Sequence, residues 1–245
     1  MKLLIKLKRD IVDEGQIVKR IPQEFKVIDE TKDVPLKIGK IPNEKLGKKY
    51  FKHEKDTYSV IDLSESDKIL NFKRGAQIIT PKDAGIIITK TGINKKSEIL
   101  EAGTGSGGLA ARLSLISNVT TVENSEINYE NSKKNLKNYE VTQIKGDISK
   151  INLDKQFDVI ILDIPNTTTA IKNAQKHLKI GGYIVTYCPQ IIQSQKVVTT
   201  LPKNLLHLET IELIERQWKI DANILRPQTR DHQHTAFLTF IRKIN

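Results

Sequence analysis

The sequence predicts an α/β protein in which a doubly wound, mostly parallel sheet follows a small N-terminal β domain. Three observations carry this. From residue 80 onward, strand-like and helix-like segments alternate with short connections, as parallel strands joined by crossover helices do. Those strand-like segments are continuous apolar runs rich in β-branched residues, as strands buried on both faces require. Residues 1–70 instead carry short alternating segments between turn-rich breakers, the period-two signature of a sheet with one wet face. The chain therefore divides into residues 1–70, a small basic β domain, and residues 71–245, a larger α/β domain.

The elements follow in order. "KLLIKLK", "GQIVKRI" and "TYSVIDL" supply N-terminal strands. Among them, "KIGKIPNEKLGKKYFKHEKD" gathers Lys45, Lys48, Lys49, Lys52 and Lys55 around Tyr50 and Phe51. This cluster is either a face for phosphates and a stacked base or a solvated loop. In "RGAQIITPKDAG" a helix starts, with Thr80 as capping hydroxyl, Pro81 at the first helical position and Asp83 near the positive helix end. Strand "SEILEAG", helix "GGLAARLSLI", strand "VTTVEN", helix "EINYENSKKNLKNY" and strand "TQIKGDI" come next. Strand "FDVIILDIP", helix "TTTAIKNAQKHLKIGG" and strand "YIVTYCP" complete the alternation.

Composition narrows the function classes. No apolar run reaches the length of a membrane span, and "MKLLIKLKRD" alternates Leu and Ile with Lys, unlike a secretory signal. A cytoplasmic protein is expected. The single cysteine, Cys188, permits no internal disulfide and no cysteine-based metal site, and reads as a buried thiol. A net charge of +11 favours a polyanionic partner through counterion release, unless it reflects only a lysine-rich genome.

The chemistry concentrates in "ILEAGTGSGGLAARL", residues 99–113, where a strand hands over to a helix through glycines. Glycine costs backbone entropy, so the loop is either a tight turn or a place where a ligand meets bare backbone and free helix-start amides. Glu123 ends the next strand about 20 residues on, where a carboxylate accepts both hydroxyls of a ribose. Asp147 ends the strand after that, within reach of an adenine amino group, and Glu101 at the first strand's end can meet a ligand ammonium. Each acid alone could be a helix cap; three in step with a glycine loop point to a nucleoside. Gly103, Gly105 and Gly108 also satisfy a dinucleotide spacing, so NAD and an oxidoreductase stay open. Asp163 ends the buried strand "VIILD", where an unpaired carboxylate is costly. Tyr187 ends the next.

"RGAQIITPKDAG", "ILEAGTGSGGL", "IILDIP" and the tail "RPQTRDHQHTAFLTF" together resemble the tRNA adenine-N(1) methyltransferases that modify position 58 of the T loop. These belong to the class I S-adenosylmethionine-dependent methyltransferases, with a Rossmann-like sheet. The resemblance spans residues 74 to 243, and its "PKDA" and "RPQ…HTAFL" segments are the specific ones. It implies S-adenosyl-L-methionine as cofactor, contacted by Glu101, Gly103, Gly105, Ser106, Gly107, Gly108, Leu109, Glu123, Asn128, Asp147 and Asp163. It implies Asp163 as the catalytic residue, with Tyr187, Arg226, His234 and Thr80 lining the target-base pocket. Thr80 departs from the family, where an aromatic residue or histidine often precedes "PKD". The resemblance further implies tRNA as partner, a homotetramer, no metal, and methylation at position 58, with position 57 left open. The alternatives are a non-catalytic tRNA-binding subunit, or a class I methyltransferase for another RNA or for protein carboxyl groups.

Overall fold

The computed structural model describes residues 1–221, 224–229 and 234–245. Two compact units meet in sequence between Asn71 and Phe72.

The first unit contains β1 (Lys2–Lys6), β2 (Arg9–Asp13), β3 (Gln16–Ile21), β4 (Glu24–Ile28), β5 (Val34–Pro35), β6 (Lys40–Ile41), α1 (Asn43–Leu46), β7 (Tyr50–His53), β8 (Asp56–Asp62) and α2 (Glu65–Leu70). An antiparallel sheet runs β4-β1-β8-β7. Its inner face buries Leu4, Ile28, Phe51, Tyr58 and Val60. Phe51 packs inward and stacks on Tyr58, with ring centroids 5.6 Å apart. This corrects the expectation that Phe51 is available to a base. Alternation along β7 sends Tyr50 the other way, 64% exposed, among the exposed Lys48, Lys49, Lys52 and Lys55.

The second unit opens with α3 (Pro81–Thr91), β9 (Glu98–Ala102), α4 (Gly108–Ser114), β10 (Asn118–Glu123), α5 (Glu126–Asn135) and β11 (Val141–Lys145). It continues through β12 (Phe157–Leu162), α6 (Thr167–Ala174), a 3-10 turn (Gln175–His177), β13 (Leu178–Cys188) and α7 (Ile191–Thr199). β14 (Leu205–Glu212), β15 (Trp218–Asp221), β16 (Ile224–Pro227) and β17 (Phe237–Lys243) end it. A seven-stranded sheet has the order β11-β10-β9-β12-β13-β17-β14. The five strands from β11 to β13 pair in parallel; β17 runs antiparallel to both neighbours. Leu100, Ile160, Leu162, Ile184 and Ile241 are buried in its core. The mostly parallel, doubly wound sheet expected from the sequence is present. From β9 the chain winds outward through β10 and β11, then returns to place β12 on the other side of β9. The gap between β9 and β12 is thus the switch point, where ligands bind beyond the strand ends.

Three local features differ from expectation. The segment read as helix up to Gly182 leaves the helix at Ala174, because Leu178 already pairs with Phe157 as a strand residue. An irregularity in that pairing, with Gly181 at φ +79°, absorbs the extra residues. Thr80 is the residue preceding α3, yet its hydroxyl caps no backbone amide; it donates to the Asp83 carboxylate at 2.9 Å. The strands β14 to β17 follow the last element assigned from sequence. In the tail motif, residues 230–233 lie outside the described residues.

Candidate active site

At the switch point the ends of β9 and β12 are in register, Ala102 opposite Leu162. Beyond them, Asp163 N–H donates to the Ala102 carbonyl at 2.9 Å and Gly103 N–H donates to the Val122 carbonyl at 2.9 Å. Gly103 sits at φ +92°, and a Cβ there would run into the Asp163 carbonyl oxygen. At Gly108 the space of a Cβ is taken by the Ile78 side chain. The loop's glycines are therefore demanded first by close approach within the protein. The same small residues leave one side of the loop open to a cavity of about 980 Å³.

Glu101, Gly103, Gly105, Ser106, Gly108, Leu109, Glu123, Asn128, Asp147 and Asp163 all line this cavity. Thr80, Tyr187 and His234 line it as well. Two expected residues do not. Gly107 faces Leu136, whose Cγ would lie 2.9 Å from an added Cβ. Arg226 is exposed on β16, its guanidinium donating to the neighbouring Pro227 carbonyl at 3.2 Å. Alternation along the β15–β16 ribbon, not the sheet, sets where Arg226 lies.

Each acid has a distinct setting. Glu123 is buried and accepts Gly105 N–H at 2.9 Å on one oxygen and Ser125 N–H at 2.9 Å on the other. It pins the glycine loop to α5 and keeps further lone pairs for hydroxyl donors. Asp147 accepts Ser149 N–H at 2.9 Å and is half-buried. Glu101 is buried, and Thr121 Oγ1 donates to it at 2.6 Å. The Thr104 and Thr121 hydroxyls lie a further 2.6 Å apart, extending this buried chain of hydrogen bonds to the glycine loop. Burial, followed by the charges of Asp163 and Glu123, pushes Glu101 up to about 8 against the pull of Thr121. Burial and Glu123 push Asp163 up to about 6. Four carboxyl groups facing one cavity, those of Glu101, Glu123, Asp147 and Asp163, make it a place for a cation.

The other end of the cavity is built differently. His234 meets acceptors on both sides, Glu212 Oε1 at Nδ1 and the Pro189 carbonyl at 2.8 Å from Nε2. Two acceptors favour the imidazolium, and the hydrogen bond to Glu212 raises the His234 pKa. Tyr187 is half-buried; burial and the Asp83 charge keep its phenol protonated. Sequence reasoning missed the wall made by residues 76–79, tied down where Ser106 Oγ donates to the Ala76 carbonyl at 2.7 Å. That bond also commits the Ser106 hydroxyl to the protein. It missed Thr235 too, although the "HTAFL" segment carries it.

The family model described as the tRNA methyltransferase complex GCD14 subunit matches residues 67–225. The chain is 31% identical over 225 residues to the tRNA (adenine(57)-N(1)/adenine(58)-N(1))-methyltransferase TrmI of Methanocaldococcus jannaschii, covering 78% of this chain and 80% of that protein. The tRNA (m1A58) methyltransferase TrmI of Aquifex aeolicus superposes with a TM-score of 0.79 at 26% identity, over 100% of this chain and 97% of that one. A SAM-dependent O-methyltransferase of Thermotoga maritima superposes with a TM-score of 0.83 at 25% identity, over 100% and 93% of the two chains. With a methyltransferase sheet, a glycine loop at its switch point and a match across most of its length, the chain belongs to the tRNA methyltransferase complex GCD14 subunit family.

Proposed function

We propose that the chain transfers a methyl group from S-adenosylmethionine to nitrogen 1 of adenine 58 of tRNA. The observation that carries this is the placing of Asp163 in one cavity with Glu101, Glu123 and Asp147, at the switch point of a family member. The donor set fits the cofactor: Glu101 for its ammonium, Glu123 for ribose hydroxyls, Asp147 for the adenine amine. When bound, S-adenosylmethionine supplies an electrophilic methyl on a sulfonium. Asp163 accepts the exocyclic amine of the target base, orients nitrogen 1 and stabilises the positive charge that develops on the ring. With a pKa of about 6, Asp163 is ionised for this task at neutral pH. Removing the nucleotide from its stack costs roughly a few kcal/mol, which phosphate contacts to the basic surface help offset. The presence of Glu101, Glu123, Asp147 and Asp163 together opposes a non-catalytic tRNA-binding role.

The cofactor has a pH signature. Glu101, at about 8 without ligand, must ionise to hold an ammonium, so binding near pH 7 is expected to release a proton. Affinity then rises with pH up to about 8. Calorimetry in two buffers of different ionisation enthalpy reads this release; equal heats would remove Glu101 from the ammonium site. Without ligand the sign is opposite for stability. A carboxyl raised from the ordinary 4.5 to about 8 makes the folded state lose stability as pH climbs through that window.

Labelled S-adenosylmethionine with unmodified tRNA transcripts, one with adenine and one with guanine at position 58, tests the reaction. 1-Methyladenosine is expected from the adenine transcript alone, and a transcript altered at position 57 asks whether that base is a second target. Likeness to the Thermotoga protein favours a second reading, transfer to an oxygen, whose product would not be 1-methyladenosine. We further propose a cytoplasmic homotetramer. The apolar Val12 and Val18 on the β2–β3 ribbon, and Ile220 and Leu225 on β15–β16, are exposed in the single chain and support assembly. In the same preparation, sedimentation at the mass of one chain would exclude it.

A further inference from the structure

Asp83, in the first turn of α3, has 0% exposure, and a carboxylate so placed is costly unless its lone pairs are matched. They are matched. Lys82 Nζ donates to Oδ1 at 2.7 Å, while Thr80 Oγ1 at 2.9 Å and the Tyr187 hydroxyl at 3.2 Å donate to Oδ2. Lys82 Nζ also donates to Thr235 Oγ1 at 2.7 Å. Donor directions follow from chemistry alone. An ammonium has only protons to give and a carboxylate only lone pairs, so Thr235 accepts from Lys82 while Thr80 and Tyr187 donate to Asp83. The result is a branched network in which the joined Lys82–Asp83 pair holds Thr235 through Lys82, and Thr80 and Tyr187 through Asp83.

Three members of this network, Thr80, Tyr187 and Thr235, line the cavity away from the glycine loop. They come from the start of α3, the end of β13 and the approach to β17, and the Lys82–Asp83 pair ties all three to one point. Asp83 and Lys82 do not themselves line it. We propose that Asp83 is a positioning residue for methyl transfer: with Lys82 it locks Tyr187 and Thr235 into the wall that receives the target base. This rests on the functional reading above. A locked wall lowers the entropy lost when the base enters and keeps nitrogen 1 in line with the methyl.

The experiment is a double-mutant cycle on kcat/KM for tRNA with Asp83→Asn, Tyr187→Phe and the pair, alongside cofactor Kd by calorimetry. Asparagine keeps the shape but presents amide protons to donors and removes the partner charge of Lys82. Each single change is expected to lower kcat/KM about ten- to hundredfold, with cofactor Kd held within about twofold. The pair is expected to fall no further than the worse single variant, since both break the same Tyr187–Asp83 hydrogen bond. Thr235→Val removes the Lys82–Thr235 branch while Lys82 stays paired with Asp83, and is expected to act in the same direction if Asp83→Asn folds poorly. Additive losses, or cofactor affinity falling in step with turnover, would overturn the positioning role while the functional reading stands. A wild-type chain that makes no 1-methyladenosine would overturn that reading and this proposal with it.

Discussion

Replacing Asp163 by alanine is expected to lower kcat for tRNA methylation by about 10²–10³-fold while S-adenosylmethionine still binds, because one preorganised electrostatic contact to developing charge is worth that much. Asp163 is the natural place for such an effect. Its backbone is held by the Ala102 carbonyl at 2.9 Å, so the side chain projects from a fixed point at the mouth of the β9–β12 gap. Burial raises its pKa to about 6, and the free energy spent keeping it ionised in a cavity is returned only when positive charge appears nearby. Alanine removes the acceptor and its charge. It also removes one of the charges that raise Glu101, and the easier ionisation of Glu101 offsets the attraction for the cationic cofactor lost with Asp163, so cofactor affinity is expected to change little. Single-turnover rates with bound cofactor measure the first effect and calorimetry the second. Turnover near the wild-type rate would strip Asp163 of its role; loss of cofactor binding would make it a binding residue instead.

Gly103→Ala is expected to be the most damaging change in the glycine loop. The backbone there lies at φ +92°, where a side chain costs about 1–2 kcal/mol. The new methyl must also displace the Asp163 carbonyl and meets Ile164 Cγ2 at 3.0 Å, an overpacking worth about 1–3 kcal/mol more. Backbone cannot swing aside as a side-chain tip can, so the ends of β9 and β12 must separate. A fall in Tm of about 5–10 °C is expected for a chain of this size, together with loss of cofactor binding. Gly92→Ala is the control. Gly92, after α3, has φ +70° but nothing within 4 Å of an added Cβ, so only the conformational cost of about 1 kcal/mol applies. Equal Tm values for the two variants would show that the Asp163 contact contributes nothing.

Much of this protein is legible in its sequence. The alternation of apolar strands with helices determined the doubly wound sheet, and a parallel sheet delivers the carboxyl ends of its strands to one edge. Glu101, Glu123 and Asp163 stand at the ends of their strands, so their convergence needed only element order and direction. The glycine spacing likewise announced close backbone approach, although not that Ile78 and the Asp163 carbonyl were what approached. Tertiary structure alone decided the rest. Phe51 turned inward onto Tyr58 because strand pairing set which face of β7 is buried. Arg226 stayed outside the cavity because it lies on a separate ribbon. Asp83 read as a helix-start acid, yet its partners include Tyr187, 104 residues away. Local sequence specifies the direction and periodicity of each element, which is short-range chemistry. Which side chain a buried polar atom meets depends on packing between distant elements, and only the folded chain supplies that distance.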